Sequence, residues 1–378
     1  MEVIHLVLGK VNPQRMNGVN KVVYELATRQ HAAGTRVEVW GITANPVHDY
    51  PERSFTTRLF KASRNPFGIS AELKQALQGL TSATVVHMHG GFIPVFFRAS
   101  EVLNQVGVPF VFTPHGSYNV VALQKGNWKK KLYLPLFEKP LLRNATLVHS
   151  LGRSEVDGLH RLIADKPAQL IPYGFDAEEL KDAYYLHQHQ RRLDKPMVIA
   201  FCGRIDIHTK GLDVLVEAFA GLLSEGADAV LWLIGDSKQR AELQNSAEAL
   251  GIERNVIFHG ARYGQEKLEL LAGADLFVHP SRNEGLPTSV LEAAAIGLPS
   301  IVTVATNVGE AIAEYEAGWT IQDTDAAQLL VALRSAYAQW RSGRLNELGE
   351  HARRMVAERY NWHHVLQQFE KMYQSCLH

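Results

Sequence analysis

Two glutamates lie in a segment that combines a strand end, a glycine and a helix start. Glu284 and Glu292 belong to the run SRNEGLPTSVLEA, residues 281–293. The apolar run before it, Leu276 to His279, predicts a strand. We therefore expect Glu284 in the loop and Glu292 in the second helical turn, in contact with opposite ends of one extended ligand. A carboxylate accepts hydrogen bonds from vicinal hydroxyls, as in a ribose or a hexose. The plainer alternative is a helix cap and a surface glutamate.

The start of this helix also predicts an anion site. Pro287 suits the first helical turn, and Gly297 followed by Pro299 predicts its end. Backbone amides of Gly285, Leu286 and the neighbours of Pro287 would then point outwards and bind a negatively charged group.

A second loop carries two cations. The run GRIDIHTKG, Gly203 to Gly211, follows the strand-like run Val198 to Cys202 and contains Arg204 and Lys210. Arginine can bind a diphosphate through two hydrogen bonds and lysine adds a point charge, so we expect a diphosphate here. A pair of solvated loop charges is the alternative.

The first half of the chain offers weaker candidates. Gly18 opens the first long helix and permits a close backbone approach to a ligand, although the three-glycine dinucleotide pattern is absent. His115, in the run TPHGS, directly follows a strand and could donate a hydrogen bond or take part in proton transfer. A structural histidine is the alternative.

A metal site at His87 and His89 is not expected. We expect these two side chains to point to opposite faces of their strand, and no carboxylate follows at ligand spacing. We therefore predict that no metal is bound.

Strands alternate with helices along the whole chain. Helices are expected near residues 19–33, 212–223 and 286–296, and a last helix near residues 362–376. Predicted strands are Val3 to Leu8, Arg36 to Trp40, Thr84 to Met88, Pro109 to Thr113, Thr146 to Ser150, Val198 to Cys202, Ala229 to Ile234, Val256 to His259, Leu276 to His279 and Ser300 to Thr303. Such alternation predicts an α/β fold with parallel sheets, and ligands then bind in loops after the strands.

The length of 378 residues predicts two domains. The strand pattern restarts after a polar stretch, so we expect a first Rossmann-like domain at residues 1–180, a linker at 181–197, and a second such domain at 198–360. The final segment, 361–378, is a helix that could pack back on the first domain. Two doubly wound domains in tandem would face a central crevice.

Composition excludes several classes of protein. Hydrophobic residues make up 46% and charged residues 21%, which is typical of a globular protein. Basic and acidic side chains balance at 39 each, which argues against a duplex-DNA binder. Two cysteines indicate a reducing compartment. No basic leader and no run of about 18 apolar residues is visible, so we expect a cytoplasmic protein without a membrane span.

The ordered set of motifs resembles the retaining glycosyltransferase family 4 of the GT-B superfamily. The resemblance covers nearly the whole chain, and its most specific part is the pair of glutamates with seven residues between them. One glycine in the first loop replaces the usual two, and tyrosine replaces the commoner asparagine before Gly174. The matching runs are HG at residues 115–116, IPYGFD at 171–176, the GR and KG pairs within 203–211, IGD at 234–236, ADLFVHPSRNEGLPTSVLEA at 274–293 and VGE at 308–310.

This resemblance implies a role for each site residue. Arg204 and Lys210, next to Gly203, would hold the diphosphate of a nucleotide sugar, and Glu292 would bind the ribose. Glu284 would bind the donor hexose, helped by the amides of residues 285–287. Gly18 would approach the phosphate, and His115 would lie beside the transferred sugar. Such enzymes need no metal or other cofactor, and the departing phosphate assists the acceptor hydroxyl on the front face of the sugar.

The resulting prediction is a retaining, metal-independent transferase that moves a hexose from a UDP- or GDP-linked donor to a saccharide acceptor. Three alternatives stay open: a nucleotide-sugar 2-epimerase of the same fold, a catalytically silent nucleotide-sugar-binding protein and, with less support, a nicotinamide dehydrogenase. The intact motif cations and glutamates argue against the silent protein. The missing three-glycine pattern argues against the dehydrogenase.

The acceptor side carries a basic segment. Residues 1–180 contain 20 basic and 14 acidic side chains, a net charge of +6, which leaves −6 for the remainder. Residues 121–143 hold six of these basic side chains and one acidic one, and the candidates for membrane contact are Lys125, Trp128, Lys129, Lys130 and Lys131. Basic and apolar residues together favour peripheral binding to an anionic membrane and a lipid-linked acceptor at its inner face, in surface polysaccharide or glycolipid synthesis. A solvated helix interrupted by Pro135 is the alternative.

Overall fold

The chain forms two compact units in a computed structural model that describes residues 1–12, 18–118, 123, 128–190 and 194–377. Unit 1 contains Met1–Gly174 and Trp362–His378, and unit 2 contains Phe175–Asn361. Each unit is built on one parallel sheet, so the predicted α/β fold class is confirmed.

Unit 1 is organised around a sheet to which the described residues contribute seven strands. The strand order is β3-β2-β1-β4-β5-β6-β7, and every recorded pairing is parallel. The strand order reverses between β1 and β4, and in such sheets ligands bind beside the carboxyl ends of the strands at that point. The strands are β1 (Glu2–Leu8), β2 (Arg36–Thr43), β3 (Thr56–Lys61), β4 (Thr84–His89), β5 (Phe110–Thr113), β6 (Leu147–Ser150) and β7 (Ala168–Leu170).

Helices cover the two faces of this sheet. Strand β4 is buried along its whole length, as a central strand of a parallel sheet must be. The helices of unit 1 are α1 (Gly18–Ala32), α2 (Ala71–Gln78), α3 (Pro94–Val106), α4 (Trp128–Tyr133), α5 (Lys139–Asn144) and α6 (Arg153–Leu162).

Unit 2 repeats the same topology with six strands from its described residues. The strand order is β10-β9-β8-β11-β12-β13, again parallel, and it reverses between β8 and β11. The strands are β8 (Met197–Cys202), β9 (Ala229–Ile234), β10 (Val256–Gly260), β11 (Leu276–His279), β12 (Ser300–Thr303) and β13 (Gly318–Ile321). The helices are α7 (Lys181–Gln190), α8 (Ile207–Lys210), α9 (Leu212–Ser224), α10 (Arg240–Ala249), α11 (Gly264–Ala272), α12 (Thr288–Ile296), α13 (Gly309–Glu314), α14 (Ala326–Arg341) and α15 (Leu345–Arg359).

The ten predicted strands are present with small shifts at their ends, and three further strands were not predicted. These three, β3, β7 and β13, lie at the edges of their sheets. Strand β3 has one fully buried residue, Phe60, and its other residues are exposed or partly buried. Strand β7 has three residues and none of them is fully buried. Edge strands carry few core residues, so the apolar runs that reveal central strands are missing from them.

The segment predicted as a linker, residues 181–197, contains a helix. In α7, Ala183 and His187 are buried four residues apart, and the His187 ring hydrogen-bonds to the carbonyl of Ala272, at 2.9 Å. A helical face of one alanine and one histidine is too polar to stand out in the sequence. The chain leaves unit 1 earlier than predicted, at Gly174 and not at residue 180.

The last helix, α16 (Trp362–Ser375), belongs to unit 1. Its buried residues Val365, Phe369, Met372 and Tyr373 lie on one face, and the helix contacts α1. Gly174 permits this arrangement, because a side chain there would come within 2.2 Å of the Trp362 ring.

Pro135 does not interrupt its helix as predicted. The chain passes from α4 through a π-helical turn, Leu134–Glu138, into α5. The amide of Lys139 donates to the carbonyl of Leu134, five residues back. A wider turn relieves the steric clash that a proline imposes on the preceding turn of an α-helix. No helix in the described part of the chain is both long enough and apolar enough to cross a membrane.

Candidate functional site

Two loops of unit 2 meet at the point where its strand order reverses. The segment after β8 carries Lys210, the last residue of the short helix α8, and the loop after β11 carries Glu284. The Lys210 ammonium hydrogen-bonds to the Glu284 carboxylate. Because β8 and β11 are neighbours in the sheet, two residues that are 74 positions apart form one ion pair. The structure therefore joins one predicted cation to one predicted carboxylate.

Glu284 is the centre of this cluster. Its Oε1 atom also accepts hydrogen bonds from His279 Nε2 at 2.9 Å and from Ser281 Oγ at 3.1 Å. Burial would raise the pKa of Glu284, but the hydrogen bond from His279 and the charge of Lys210 outweigh burial and lower it to about 2. The carboxylate is thus held ionised and fixed in orientation. Neither His279 nor Ser281 was singled out from the sequence, since both stand inside or next to an ordinary strand pattern.

Arg282 ties the two loops together. Its guanidinium binds both carboxylate oxygens of Asp213, at 2.8 and 2.9 Å, and the carbonyl of His208, at 2.7 Å. Its amide donates to the carbonyl of Thr209. Gly211 is required in the same place, because it has φ +65° and a side chain there would lie 2.2 Å from the carbonyl of Pro280. These contacts hold Lys210 next to the loop that carries Glu284.

The predicted anion loop is held from its other side by Asn307. Its side-chain amide donates to the carbonyls of Glu284 and Gly285, at 2.9 and 2.8 Å. Pro287 was predicted in the first helical turn, but the helix α12 begins at Thr288 and Pro287 is its N-cap residue. Leu286 is partly buried. The first turn of a nine-residue helix therefore begins directly after the loop.

Glu292 lies in the second turn of α12, where it was predicted. Both of its carboxylate oxygens accept hydrogen bonds from Lys267 of α11, at 2.7 Å each, and both side chains are largely buried. The Cys202 thiol, at the end of β8, has its pKa raised to about 12 by burial and by the nearby Glu292. Lys267 was missed, because a lone lysine on an amphipathic helix carries no signal in the sequence.

Arg204 lies apart from the Lys210 and Glu284 pair. It directly follows Gly203, its side chain is 73% exposed, and its recorded partner is Asp206, at 3.4 Å. Asp206 also accepts a hydrogen bond from the amide of Thr209 and so caps α8. The guanidinium is therefore available to a ligand at low cost to the fold.

The two candidates in unit 1 follow β1 and β5. Gly18 is the first residue of α1, and its preceding loop, residues 13–17, lies outside the described residues. His115 has φ +52° and is partly exposed, and its ring bonds to His89 at 3.0 Å and to the Tyr173 hydroxyl at 3.4 Å. Burial lowers the pKa of His115 to about 3, so the ring is neutral at pH 7. The carboxylate of Glu155 fixes its loop by accepting from the Gly116 amide.

The expectation that His87 and His89 point to opposite faces is wrong. Residues two apart on a strand share a face, and the two ring centroids are 4.0 Å apart. With His5 of β1 they form a buried group in which one ring nitrogen from each histidine lies within 4.8 Å of the other two. The predicted absence of a metal therefore needs an argument other than strand geometry.

The basic segment is described in part. Lys131 is exposed, and Leu132 and Leu136, one helical turn apart, are 55% and 59% exposed. The side chains of Trp128, Lys129 and Lys130 and the whole of Lys125 lie outside the described residues.

Comparison with known proteins matches both units to glycosyltransferase families. Residues 17–174 match the model for a glycosyl transferase 4-like domain, and residues 186–355 match the model for glycosyl transferases group 1. The chain is 30% identical over 387 aligned residues to a D-inositol 3-phosphate glycosyltransferase of Corynebacterium urealyticum, covering 95% of this chain and 90% of the relative.

One further relative supports the same family, and one solved structure supports the fold. An N-acetyl-alpha-D-glucosaminyl L-malate synthase of Bacillus anthracis is 26% identical over 62% of this chain, and the match spans 61% of that relative's length. The solved structure of HepE from Anabaena in complex with UDP has a TM-score of 0.74 and 16% identity, and covers 99% of this chain and all of that one.

Proposed function

This chain belongs to the family 4 type of GT-B glycosyltransferases, and on that premise we propose that it transfers a hexose from a nucleotide diphosphate sugar to a saccharide acceptor. We propose UDP or GDP as the nucleotide, retention of the anomeric configuration, and no requirement for a metal. The observation that carries this proposal is the pair formed by Lys210 and Glu284, which places one cation and one ionised carboxylate at the same point of unit 2.

Lys210 would act on the leaving group. When the bond between the anomeric carbon and the diphosphate oxygen breaks, negative charge develops on that oxygen, and a fixed ammonium stabilises it. This ammonium is paired with the Glu284 carboxylate. A bound diphosphate supplies a competing anion, with Arg204 as a second cation, and Glu284 then accepts hydrogen bonds from the hydroxyls of the hexose.

Glu292 would bind the other end of the donor. Its ionic bond to Lys267 fixes the carboxylate, and two vicinal ribose hydroxyls match its two oxygens. HepE, a protein of the same fold, was solved in complex with UDP, which supports a nucleoside diphosphate as the ligand.

Retention is proposed through a front-face reaction. The acceptor hydroxyl attacks the anomeric carbon on the side of the departing diphosphate, and its proton passes to the diphosphate oxygen. Two buried carboxylates of unit 1 support this route against a covalent glycosyl intermediate, because both are already engaged. Glu155 accepts from the amides of Gly116 and Leu151, and Glu138 accepts from the Phe92 amide and the Tyr118 hydroxyl.

The proposed activity is tested by incubating the protein with UDP- and GDP-linked hexoses and saccharide acceptors, with and without EDTA. We expect acceptor-dependent release of one nucleoside diphosphate, undiminished by EDTA, and NMR spectra of the product that show the anomeric configuration of the donor. Loss of activity in EDTA with recovery in magnesium or manganese would refute metal independence. A donor epimerised without any acceptor would show a 2-epimerase instead.

Glu284→Ala and Glu292→Ala are expected to separate turnover from binding. Glu284→Ala should lower kcat by about 10²-fold with a small change in affinity for the nucleoside diphosphate, since it contacts the hexose. Glu292→Ala should weaken nucleoside diphosphate binding by about 10–100-fold, because a hydrogen bond to a charged group contributes roughly 1.5–3 kcal/mol. Steady-state kinetics and calorimetry measure both quantities.

Lys267→Ala is the matched control for Glu292→Ala. It breaks the same ion pair but keeps the carboxylate, so most of the nucleotide affinity should remain. Equal losses of affinity in the two variants would mean that the ion pair stabilises α11 and α12 and that Glu292 does not bind ribose.

We also propose that the acceptor is lipid-linked and that α4 and the following turn lie on an anionic membrane. Leu132 and Leu136 expose one apolar strip, and Lys131 adjoins it. Cations near such a surface contribute about 1 kcal/mol each, and an inserted leucine contributes roughly 1.5–3 kcal/mol.

Leu132→Ser combined with Leu136→Ser is expected to weaken binding to anionic vesicles at least about tenfold in co-sedimentation. Val331→Ser, at an equally exposed position of α14 in unit 2, is the control and should bind like the unaltered chain. Two outcomes would exclude this membrane surface. The unaltered protein could fail to bind vesicles at low salt, or it could bind neutral and anionic vesicles equally well.

A further inference from the structure

Five histidines lie in one hydrogen-bonded chain inside unit 1. His5, His87, His89 and His149 are completely buried, whereas His115 is partly exposed. Burial is the largest of the causes that lower the pKa of all five, so each ring is neutral and carries one proton on one of its two nitrogens. Which nitrogen carries that proton follows from the partners along the chain.

The chain is anchored at a backbone carbonyl, which can only accept. His149 Nε2 lies 2.7 Å from the carbonyl oxygen of Ile171, so the proton is on Nε2 and Nδ1 must accept. The partner of Nδ1 is the Thr113 hydroxyl, at 2.8 Å, which therefore gives its only proton to His149. The Thr113 oxygen then accepts from His87 Nε2, at 2.6 Å.

The hydrogen bonds keep the same donor-to-acceptor direction through Tyr373 of the last helix, α16. Because His87 carries its proton on Nε2, its Nδ1 accepts from the Tyr373 hydroxyl, at 2.8 Å. Tyr373 has no second proton, so its oxygen accepts from the amide nitrogen of Gln30, at 3.4 Å. The orientation of the Gln30 amide is thereby fixed, with its Oε1 turned to the other half of the chain.

The second half runs from Gln30 to the surface. Gln30 Oε1 lies 2.7 Å from His5 Nε2, which must donate, so His5 Nδ1 accepts from His89 Nε2, at 2.9 Å. His89 Nδ1 in turn accepts from His115 Nε2, at 3.0 Å. His115 Nδ1 is left without a proton and faces the Tyr173 hydroxyl, at 3.4 Å.

We propose that Gln30, His5 and His89 are positioning residues that hold His115 in its Nε2–H form, so that the only nitrogen it can offer a ligand is an acceptor. This inference rests on the proposed function and on the role that the family resemblance implies for His115, beside the transferred sugar. Its N–H is committed to His89, so His115 donates nothing to the donor or the acceptor. A sugar hydroxyl that replaces Tyr173 at Nδ1 is bound as a hydrogen-bond donor.

A metal bound by His5, His87 and His89 is the competing use of the same group. Their six ring nitrogens are all engaged in the hydrogen bonds described above, and a cation would have to break the bond between His5 and His89. In the hydrogen-bonded chain of neutral histidines, in which all donors point the same way, each of these six nitrogens has a partner.

The test is histidine-selective ¹⁵N NMR of the whole protein at pH 7. We expect all five histidines as Nε2–H forms. In Gln30→Leu the acceptor for His5 is gone, so His5, His89 and His115 should reverse to Nδ1–H forms, which leaves no buried N–H without a partner. His87 and His149 should keep the Nε2–H form, because Ile171 still anchors them, and their unchanged signals report that unit 1 is folded.

Transfer kinetics supply the second measurement. Gln30→Leu should lower kcat about tenfold or more while nucleoside diphosphate affinity, which resides in unit 2, stays unchanged. If Gln30→Leu does not fold, the unaltered protein still decides the matter.

An Nδ1–H form of His115 in the unaltered chain would overturn the proposal, as would a metal found on His5, His87 and His89 or an unchanged His115 in a folded Gln30→Leu variant. The tautomers are measured without substrate. A protein that transfers no sugar but shows five Nε2–H histidines would therefore refute the proposed function and leave the direction of the chain established.

Discussion

Lys210→Ala should reduce sugar transfer by about 10²–10³-fold, the largest loss expected from any single substitution in this chain. The substitution removes the cation that stabilises charge on the departing diphosphate. It also leaves the ionised carboxylate of Glu284 with its hydrogen bonds from His279 and Ser281 but without a permanent positive charge. Nucleoside diphosphate affinity should fall by about 10–100-fold, because a hydrogen bond to a charged group contributes roughly 1.5–3 kcal/mol.

Arg204→Ala is expected to impair ligand binding without affecting folding. The Arg204 side chain is largely exposed and makes one 3.4 Å contact with Asp206, so its removal should leave thermal stability unchanged. Transfer and nucleoside diphosphate binding should still be largely lost, as in Lys210→Ala. Arg334→Ala, which breaks an exposed ion pair with Glu225, is the control for removing one positive charge from unit 2.

Unchanged turnover and unchanged affinity in both Lys210→Ala and Arg204→Ala would show that the diphosphate is bound elsewhere. A loss in Lys210→Ala alone would assign the diphosphate to Lys210 and leave Arg204 as a surface residue.

Acidification from pH 7 to pH 5 should destabilise unit 1 by several kcal/mol. The pKa values of the five network histidines are lowered below 6.5, to about 4 for His5 and His149 and about 3 for His115. Below pH 6.5 these histidines bind protons in the unfolded chain, whereas they stay neutral in the folded chain. Each histidine therefore lowers the free energy of unfolding by about 1.4 kcal/mol per pH unit down to its folded pKa.

One carboxylate opposes this trend. Burial raises the pKa of Glu155 to about 7, so the folded chain holds a proton that the unfolded chain releases, and stability from this group falls as the pH rises from about 4.5 to 7. The contribution of Glu155 to the pH dependence of the free energy of unfolding therefore cancels that of about one of the five histidines. The net effect of acidification is therefore destabilising.

Thermal unfolding at pH 5, 6, 7 and 8 measures this effect. His31→Gln replaces an exposed histidine of α1 and should leave the pH dependence as it is in the unaltered chain. A melting temperature of unit 1 that is the same at pH 5 and pH 7 would contradict neutral buried histidines, and with them the assignment of one proton to each ring.

The sequence was sufficient for the fold class and for most of the sheet. Apolar runs such as Leu276 to His279 are dictated by burial on both faces of a parallel strand, and that constraint acts on each strand separately. Edge strands such as β3 and β7 were not predicted, because one side of each is exposed to solvent. The helix α7 was not predicted, because a segment whose buried face holds only an alanine and a histidine has the sequence pattern of a polar linker.

Residues of the candidate site were found where the chemistry is local to one loop. Glu284 stands in the loop after β11, Lys210 ends the short helix α8 after β8, and Glu292 lies in the second turn of α12. Segments that lead from a strand into a helix are where α/β folds bind ligands. The spacing of these three residues along the chain could be read without coordinates, and their assignment to a sugar donor remains a prediction.

Only the tertiary structure decided which partners these residues have. Lys267, Arg282, Asn307 and His279 hold the site through contacts across 5 to 74 positions of the chain. The chain of histidines goes further, since it joins Gln30 to Tyr373 across 343 positions. A hydrogen bond fixes the position of a proton only when both partners and their other bonds are known, so the protonated nitrogen of His115 is a property of the folded unit and not of any segment.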